Sequence, residues 1–101
     1  MAHSELDYFV TEAQLQAVVL EEAEFNGWEH YHTHDSRRSN KGFPDLVLVR
    51  ERVVYAEIKT MKGKLTKEQQ HWQDILKYAG QEVYVIRPCD KDLVTQILKR
   101  P

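Results

Sequence analysis

Apolar residues recur at helical spacing near the start of the chain. Thr11 is a predicted N-cap, because Gln14 stands three residues later at the capping-box position, and Gly27 is a natural stop. Glu12 falls on the same side as the apolar residues, so it is predicted to point inward at the rim of the core. The pattern predicts a helix from about residue 11 to residue 25, with the inward positions Leu15, Val18, Val19 and Phe25.

Two further helices are predicted in the second half of the chain. Thr66 is the N-cap of the first, with Gln69 at the capping-box position and Gly80 at the end. Gln69 shares the inward face of this helix, whose apolar stripe is predicted as Trp72, Ile75, Leu76 and Ala79. Asp90 is the predicted cap of the last helix.

Four short segments rich in branched and aromatic residues predict strands, at residues 28–33, 45–50, 53–59 and 82–86. Glu51 and Arg52 form a tight turn, so the second and third segments pair as a hairpin. A helix between two strands usually makes a right-handed parallel crossover, so the sheet is expected to be mixed. The predicted fold is therefore α/β, with a mixed central sheet flanked by helices.

Composition narrows the class of protein. The length of 101 residues fits one domain, so residues 1–101 are predicted as a single unit. Cys89 is the only cysteine, which excludes an intrachain disulfide and a thiolate zinc cluster. The apolar runs are too short to span a bilayer, and the first residues do not resemble a signal peptide. A cytoplasmic protein is expected.

Charge is unevenly distributed along the chain, although the net charge is only -2. Residues 1–34 carry seven acids and no Lys or Arg, whereas residues 35–101 carry fourteen basic residues and nine acids. Such asymmetry is typical of a protein with one face that tolerates polyanions. It is equally typical of a solvated acidic helix beside an ordinary basic surface.

The candidate chemistry lies in the predicted hairpin. Asp45 stands where a loop enters one strand, and Glu57 and Lys59 share a face of the next. Two carboxylates brought together resist ionising together, and a hard divalent cation resolves that repulsion. Such a cation polarises a phosphate and lowers the pKa of a bound water. Lys59 either stabilises the charge that builds on the phosphoryl oxygens or orients the attacking water. The backbone carbonyl of Ile58 is a candidate further ligand.

A wider set of residues around this hairpin resembles the VRR-NUC family, a branch of the PD-(D/E)XK nuclease superfamily. The resemblance covers roughly residues 10–98 and suggests a stand-alone domain of the phage or bacterial type. It rests on Gly42-Phe43-Pro44-Asp45, Glu57-Ile58-Lys59, Gly63-Lys64-Leu65-Thr66, Gln69, Trp72 and Gly80.

The resemblance implies a restriction-endonuclease-like core and phosphodiester hydrolysis that depends on Mg²⁺ or Mn²⁺. It implies a helical acid that assists the metal, for which Glu12 fits better than Glu21 or Glu22. Gln69 matches the family's helix-borne glutamine beside the site, although it equally fits simple capping. Stand-alone members resemble junction-resolving nucleases, which implies a homodimer acting on branched DNA such as Holliday junctions.

Basic residues on either side of the candidate site are predicted to contact phosphates that flank the cut, and these are Arg37, Arg38, Lys41, Lys62 and Lys64. For any single lysine a solvated loop is the plain alternative. The alternating His30, His32 and His34 suggest DNA contact or an exposed strand face rather than a zinc site, because no fourth ligand is evident. Trp28 is interpreted as core or rim, with stacking on a base as the alternative.

The main hypothesis is a structure-selective, metal-dependent DNA endonuclease with Asp45, Glu57, Lys59 and Gln69 as its catalytic residues. A non-catalytic DNA-binding or assembly module that retained the fold is the alternative from another class. A metal-dependent hydrolase of RNA is the third.

Overall fold

The computed structural model describes residues 4–33 and 40–101, and it contains a four-stranded sheet with the order β1-β2-β3-β4. The first three strands are antiparallel neighbours, whereas β3 and β4 are parallel. The strands are β1 (Glu29–His32), β2 (Leu46–Val49), β3 (Val53–Ile58) and β4 (Glu82–Ile86). The predicted mixed sheet and the predicted hairpin are confirmed.

The helices are α1 (Glu12–Phe25), α2 (Lys67–Tyr78) and α3 (Lys91–Lys99), with 3₁₀ turns at Glu5–Phe9 and Pro88–Asp90. Both predicted capping boxes are present. In the second, Thr66 Oγ1 accepts from the Gln69 N–H at 3.1 Å, and Gln69 Oε1 accepts from the Thr66 N–H at 2.9 Å. Across the described stretches, no helix has the length and apolar character that a membrane span requires.

The main core lies between α1, α3 and one face of the sheet. α1 contributes Leu15, Val19 and Ala23, which recur every four residues, and the sheet contributes the buried residues Leu46, Leu48, Val54, Ala56 and Ile58. The prediction that Val18 and Phe25 also point inward was wrong, since they are 48% and 83% exposed. The buried stripe of α1 is therefore narrower than the sequence pattern indicated, and both residues lie outside it.

α2 covers the opposite face of the sheet and buries a polar stripe. Gln73 is only 2% exposed, whereas Ile75 is 39% exposed and Ala79 is also exposed. The predicted apolar stripe of this helix was therefore wrong at Ile75 and Ala79. The reason is that α2 lies over the face of β3 that carries Tyr55 and Glu57, where polar partners replace an apolar core.

A cluster around Trp28 closes the end of the sheet at the β2–β3 turn. Trp28 is 3% exposed and donates through Nε1 to the Leu98 carbonyl at 2.9 Å. The guanidinium groups of Arg50 and Arg52 lie over its ring, 4.6 and 5.0 Å from the centroid, and donate to carbonyls at the end of α3. The alternative that Trp28 stacks on a base was wrong, because its ring is covered by this cluster.

Candidate active site

The hairpin brings Asp45 and Glu57 together at the end of the sheet opposite to Trp28. Leu46 pairs with Ala56 in the antiparallel register, so Asp45, one residue before β2, comes opposite Glu57. Asp45 Oδ2 accepts from the Ile58 N–H at 2.8 Å, which fixes its carboxyl at the end of β3. Glu57 is 2% exposed and lies beneath α2.

The pKa of Glu57 is raised from 4.5 to about 8, first because the carboxyl is buried. Asp45 raises it further through its negative charge and a hydrogen bond between the two carboxyl groups, and Glu12 adds a smaller repulsion. The positive charge of Lys59 lowers the pKa in part. The pair thus holds a proton at neutral pH unless a further positive charge approaches it.

Lys59 extends from the end of β3 onto the same face as Glu57. Its side chain is buried along the stem, and the residue as a whole is 9% exposed. The backbone of Gly63 lies against this stem, since a Cβ there would come within 3.4 Å of Lys59 Cδ. Within residues 4–33 and 40–101 Lys59 forms no salt bridge, so its ammonium is available to an anion at the site.

Gln69 both caps α2 and contacts Glu57. Its Oε1 accepts from the Thr66 N–H, so its Nε2 is directed away from the cap and donates to Glu57 Oε2 at 3.1 Å. The two interpretations that the sequence left even, capping and a place beside the site, are satisfied by the same amide. One carboxyl oxygen of Glu57 is thereby held toward α2.

The loop that delivers Asp45 is fastened to the first turns of α2. Gly42 has φ +90°, and a Cβ on it would lie 2.4 Å from the Glu68 carbonyl carbon. The carbonyl of Lys41 accepts from Trp72 Nε1 at 3.1 Å, and the Phe43 ring packs edge-on against Trp72. Only glycine fits at residue 42, because both the backbone conformation and the close approach exclude a side chain.

Arg87 holds the loop that follows Lys59, and sequence reasoning missed it. Its Nη1 donates to the carbonyls of Thr60 and Gly63 at 2.6 and 2.7 Å. Asp90, predicted as a helix cap, uses its Oδ2 to accept from the Arg87 N–H at 2.8 Å and makes no cap hydrogen bond to α3. The available signal was that parallel strands β3 and β4 end at the same edge.

Glu12 lies at the first turn of α1, near enough for its charge to act on Glu57. The prediction that it points inward was wrong, because the residue is exposed. Glu21 is exposed too, and Glu22, the other alternative, is partly buried farther along α1. In the described part of the chain, no three His, Cys, Asp or Glu side chains are grouped as metal ligands, so the ligand role of Glu12 stays a prediction.

The predicted phosphate contacts that the structure describes are Lys41, Lys62 and Lys64, all exposed. Arg37 and Arg38 lie outside the described residues, as does His34. The neighbouring His30 lies on the exposed strand β1, with Nε2 3.8 Å from Glu24 Oε1.

The arrangement offers oxygen donors beside an ammonium. Asp45 and Glu57 present carboxyl oxygens to a shared space, which is the donor chemistry that hard divalent cations take. Lys59 adds a positive charge on the same face, where an anion such as a phosphate oxygen is stabilised. A cation and a phosphate can therefore be held side by side at this edge of the sheet.

Comparison with protein families adds an independent finding. The VRR-NUC domain family matches residues 5–88 of the 101-residue chain, which confirms the resemblance drawn from the motifs. The matched range includes Asp45, Glu57, Lys59 and Gln69. No curated protein and no solved structure matches the chain.

Gly42→Ala is expected to destabilise the protein by about 2–4 kcal/mol, since it combines an unfavourable φ with overlap against the α2 backbone. Gly80→Ala is the matched control, because Gly80 has φ +79° but its Cβ would meet nothing within 4 Å. The control is expected to cost only about 1–2 kcal/mol. Urea unfolding followed by circular dichroism measures both, and equal losses would contradict the role of the close approach.

The raised pKa of Glu57 predicts how stability depends on pH in a buffer that contains EDTA. A folded-state pKa of about 8 against 4.5 means that the folded protein keeps a proton that the unfolded chain releases. The contribution of Glu57 to the free energy of unfolding is therefore lost as pH rises from about 4.5 to 8. Glu57→Gln removes this loss, so the variant is expected to gain on the parent by a few kcal/mol toward pH 8. Urea unfolding of both proteins is measured at pH 5 and at pH 8. If the difference in the free energy of unfolding between the two proteins is the same at both pH values, this prediction is overturned.

Proposed function

The chain belongs to the VRR-NUC domain family, and on that premise we propose that it is a divalent-metal-dependent endonuclease that hydrolyses phosphodiester bonds in DNA. Membership makes the chain a nuclease, and its mixed sheet with flanking helices is compatible with a restriction-endonuclease-like core of the PD-(D/E)XK superfamily. The observation that carries the proposal is the hairpin register that places Asp45 opposite the buried Glu57, beside Lys59. Residues 1–101 are proposed to act as one domain.

The donor set fits Mg²⁺ or Mn²⁺. Asp45 and Glu57 would hold the cation with carboxylate oxygens, and Ile58 would add its carbonyl. The N–H of Ile58 faces Asp45, and the N–H and C=O of one strand residue point to the same side of the strand. Mg²⁺ is usually bound by one or two carboxylates and keeps sites for water and phosphate. Glu12 is proposed to assist from outside this set.

Different residues of the chain would contribute to hydrolysis in different ways. Bound here, the cation supplies Lewis acidity that polarises the scissile phosphate and lowers the pKa of a water. Lys59 stabilises the negative charge that grows on the phosphoryl oxygens as water attacks phosphorus and the ester bond breaks. Ile58 N–H and Gln69 Nε2 fix the orientations of Asp45 and Glu57, so the acids do not have to reorganise during the reaction.

DNA binding is proposed to depend on phosphate contacts made by exposed cations near the site. Lys41 lies on the loop before Asp45, and Lys62 and Lys64 lie on the loop after Lys59, so these residues flank the candidate acids on both sides. The sequence adds Arg37 and Arg38 to this set. Affinity is expected to fall steeply with salt, because such contacts release counterions.

Branched DNA, including four-way junctions, is the proposed substrate, and a homodimer is the proposed assembly. Resolving a four-way junction takes two cuts, and two copies would supply two such sites. The family resemblance supports both parts of this proposal. The four residues of the edge strand β1 are exposed, which leaves one side of the sheet open to a second chain.

The wild-type protein is expected to cut forked and four-way-junction DNA with Mn²⁺ and to be inactive in EDTA. Asp45→Asn, Glu57→Gln and Lys59→Met are each expected to lower cleavage at least a hundredfold, because each removes a group that acts on the transition state. Gel assays of purified proteins on forked, four-way and linear DNA measure the loss.

Asp74→Asn and Lys77→Met are the matched controls for charge removal, since both residues are exposed on α2 away from the site. They are expected to cut at the wild-type rate. If the three site variants cut as well as these controls, the residue assignment is wrong. Metal-independent binding without nicking would instead indicate the non-catalytic module, and cutting of RNA duplexes alone would indicate the RNA hydrolase.

Gln69→Ala is expected to slow cleavage about tenfold or more, because it removes the Nε2 donor that positions Glu57. Thr66→Ala is the control: it removes the partner half of the same capping box and is expected to cost a similar stability of about 1 kcal/mol. Single-turnover rates at saturating Mn²⁺ compare the two. Equal rates would show that Gln69 serves the helix alone.

A further inference from the structure

A cleft lies beside the candidate site, between the 3₁₀ turn Glu5–Phe9 and the loop after β3. We call it the aromatic cleft, and it is lined by Glu5, Tyr8, Phe9, Thr60, Met61 and Lys62. Its volume is about 540 Å³, and it opens broadly to solvent. None of its lining residues takes part in the contacts between Asp45, Glu57 and Gln69.

Aromatic surface is presented to solvent in this cleft. Phe9 is 79% exposed and Tyr8 is 47% exposed, although both are large rings that gain from burial. Lys62 brings its Nζ to 5.6 Å from the centroid of the Tyr8 ring. A cation beside exposed ring faces is the combination that binds single-stranded nucleic acid, since bases stack on the rings and the cation meets the backbone.

Both walls of the cleft are fixed relative to the candidate site. Thr60, Met61 and Lys62 follow Lys59 directly, and Arg87 holds this loop through two of its carbonyls. The opposite wall is anchored by Val10, which packs against the core, and the turn that carries Phe9 contacts the turn Pro88–Asp90. The turn and the loop that line the cleft are therefore both tied to the body of the fold.

We propose that the aromatic cleft receives an unpaired base of the DNA bound at the candidate site, stacked on Phe9, with the adjoining phosphate at Lys62, which lies over the Tyr8 ring. This inference rests on the proposed function and names the feature of branched DNA that the protein selects. Bases inside a duplex are stacked on one another and do not offer their faces to a side chain, whereas unpaired bases do. Glu5, the acid of the lining, repels phosphate and leaves Lys62 as its contact.

The test measures binding in EDTA, so that it does not depend on cleavage. The probes are a fluorescent duplex with a six-thymine tail and the same duplex with a six-nucleotide abasic tail, which retains the phosphates and lacks the bases. The wild type is expected to prefer the thymine tail about tenfold, because a base that stacks on a ring adds to the affinity that the phosphates supply. Fluorescence anisotropy gives both affinities.

Phe9→Leu is expected to lose this preference, whereas Phe9→Trp is expected to keep it, because stacking needs a ring face and not merely apolar contact. Leu6→Ala is the matched control: Leu6 lies on the same turn, is 73% exposed and does not line the cleft. Lys62→Met is expected to weaken binding to both tails and to lower the salt slope by about 1.

Several results would overturn the inference. An equal affinity of the wild type for thymine and abasic tails would do so, as would an unchanged preference in Phe9→Leu. A cleft that instead binds a second copy would show as a Phe9→Leu change in sedimentation without DNA, with the base preference intact.

Cleavage with Mn²⁺ is scored separately on the same DNAs. Cutting without any base preference leaves the proposed function standing and removes the inference about the cleft. A base preference lost in Phe9→Leu, in a protein that never cuts, supports the cleft and overturns the nuclease proposal.

Discussion

The carboxyls of Asp45 and Glu57 are held in contact at the end of the sheet, where burial and mutual repulsion both oppose their ionisation. Two donors offset part of this cost, namely the Ile58 N–H on Asp45 and Gln69 Nε2 on Glu57. The charge of Lys59 offsets a further part, yet the pKa of Glu57 still rises to about 8. An additional positive charge beside the pair would therefore favour the ionised form of both carboxyls, and this is the reason to expect a bound cation at the site.

Much of the surrounding backbone serves to keep this contact in place. Gly42 allows the loop before Asp45 to lie directly on the α2 backbone, and Arg87 fastens the loop after Lys59 from the end of β4. The acids sit at the junction of these two loops. Apolar contacts of Phe43 and Pro44 help to seat the first loop, and the close backbone approach at Gly42 and the carbonyl acceptors of Arg87 favour one geometry over a set of similar ones.

Local signals in the sequence predicted the elements and the placement of the candidate site residues beside one another. The capping box of Thr66 and Gln69 located α2, and the alternation of β3 placed Glu57 and Lys59 on one face. The wrong predictions about the inward faces of the helices share one cause, since helical periodicity alone does not show what a helix packs against. Ile75 was expected inside because it is apolar, but the face of α2 that meets the sheet is set by Glu57. Arg87 was missed because its partners lie in another part of the sequence.

The cluster around Trp28 and the candidate site lie at opposite ends of the sheet. At the β2–β3 turn, Trp28 is buried against α3, its Nε1 donates to the Leu98 carbonyl, and its ring is covered by Arg50 and Arg52. Beneath α2 the buried Oε1 of Gln73 has no hydrogen-bond partner among residues 4–33 and 40–101, a loss of roughly 1–3 kcal/mol. A helix selected for stability alone would carry an apolar residue at that position. The polar inner face of α2 instead suits a helix that orients Glu57 through Gln69, so this unsatisfied side chain lies on the element that borders the candidate site.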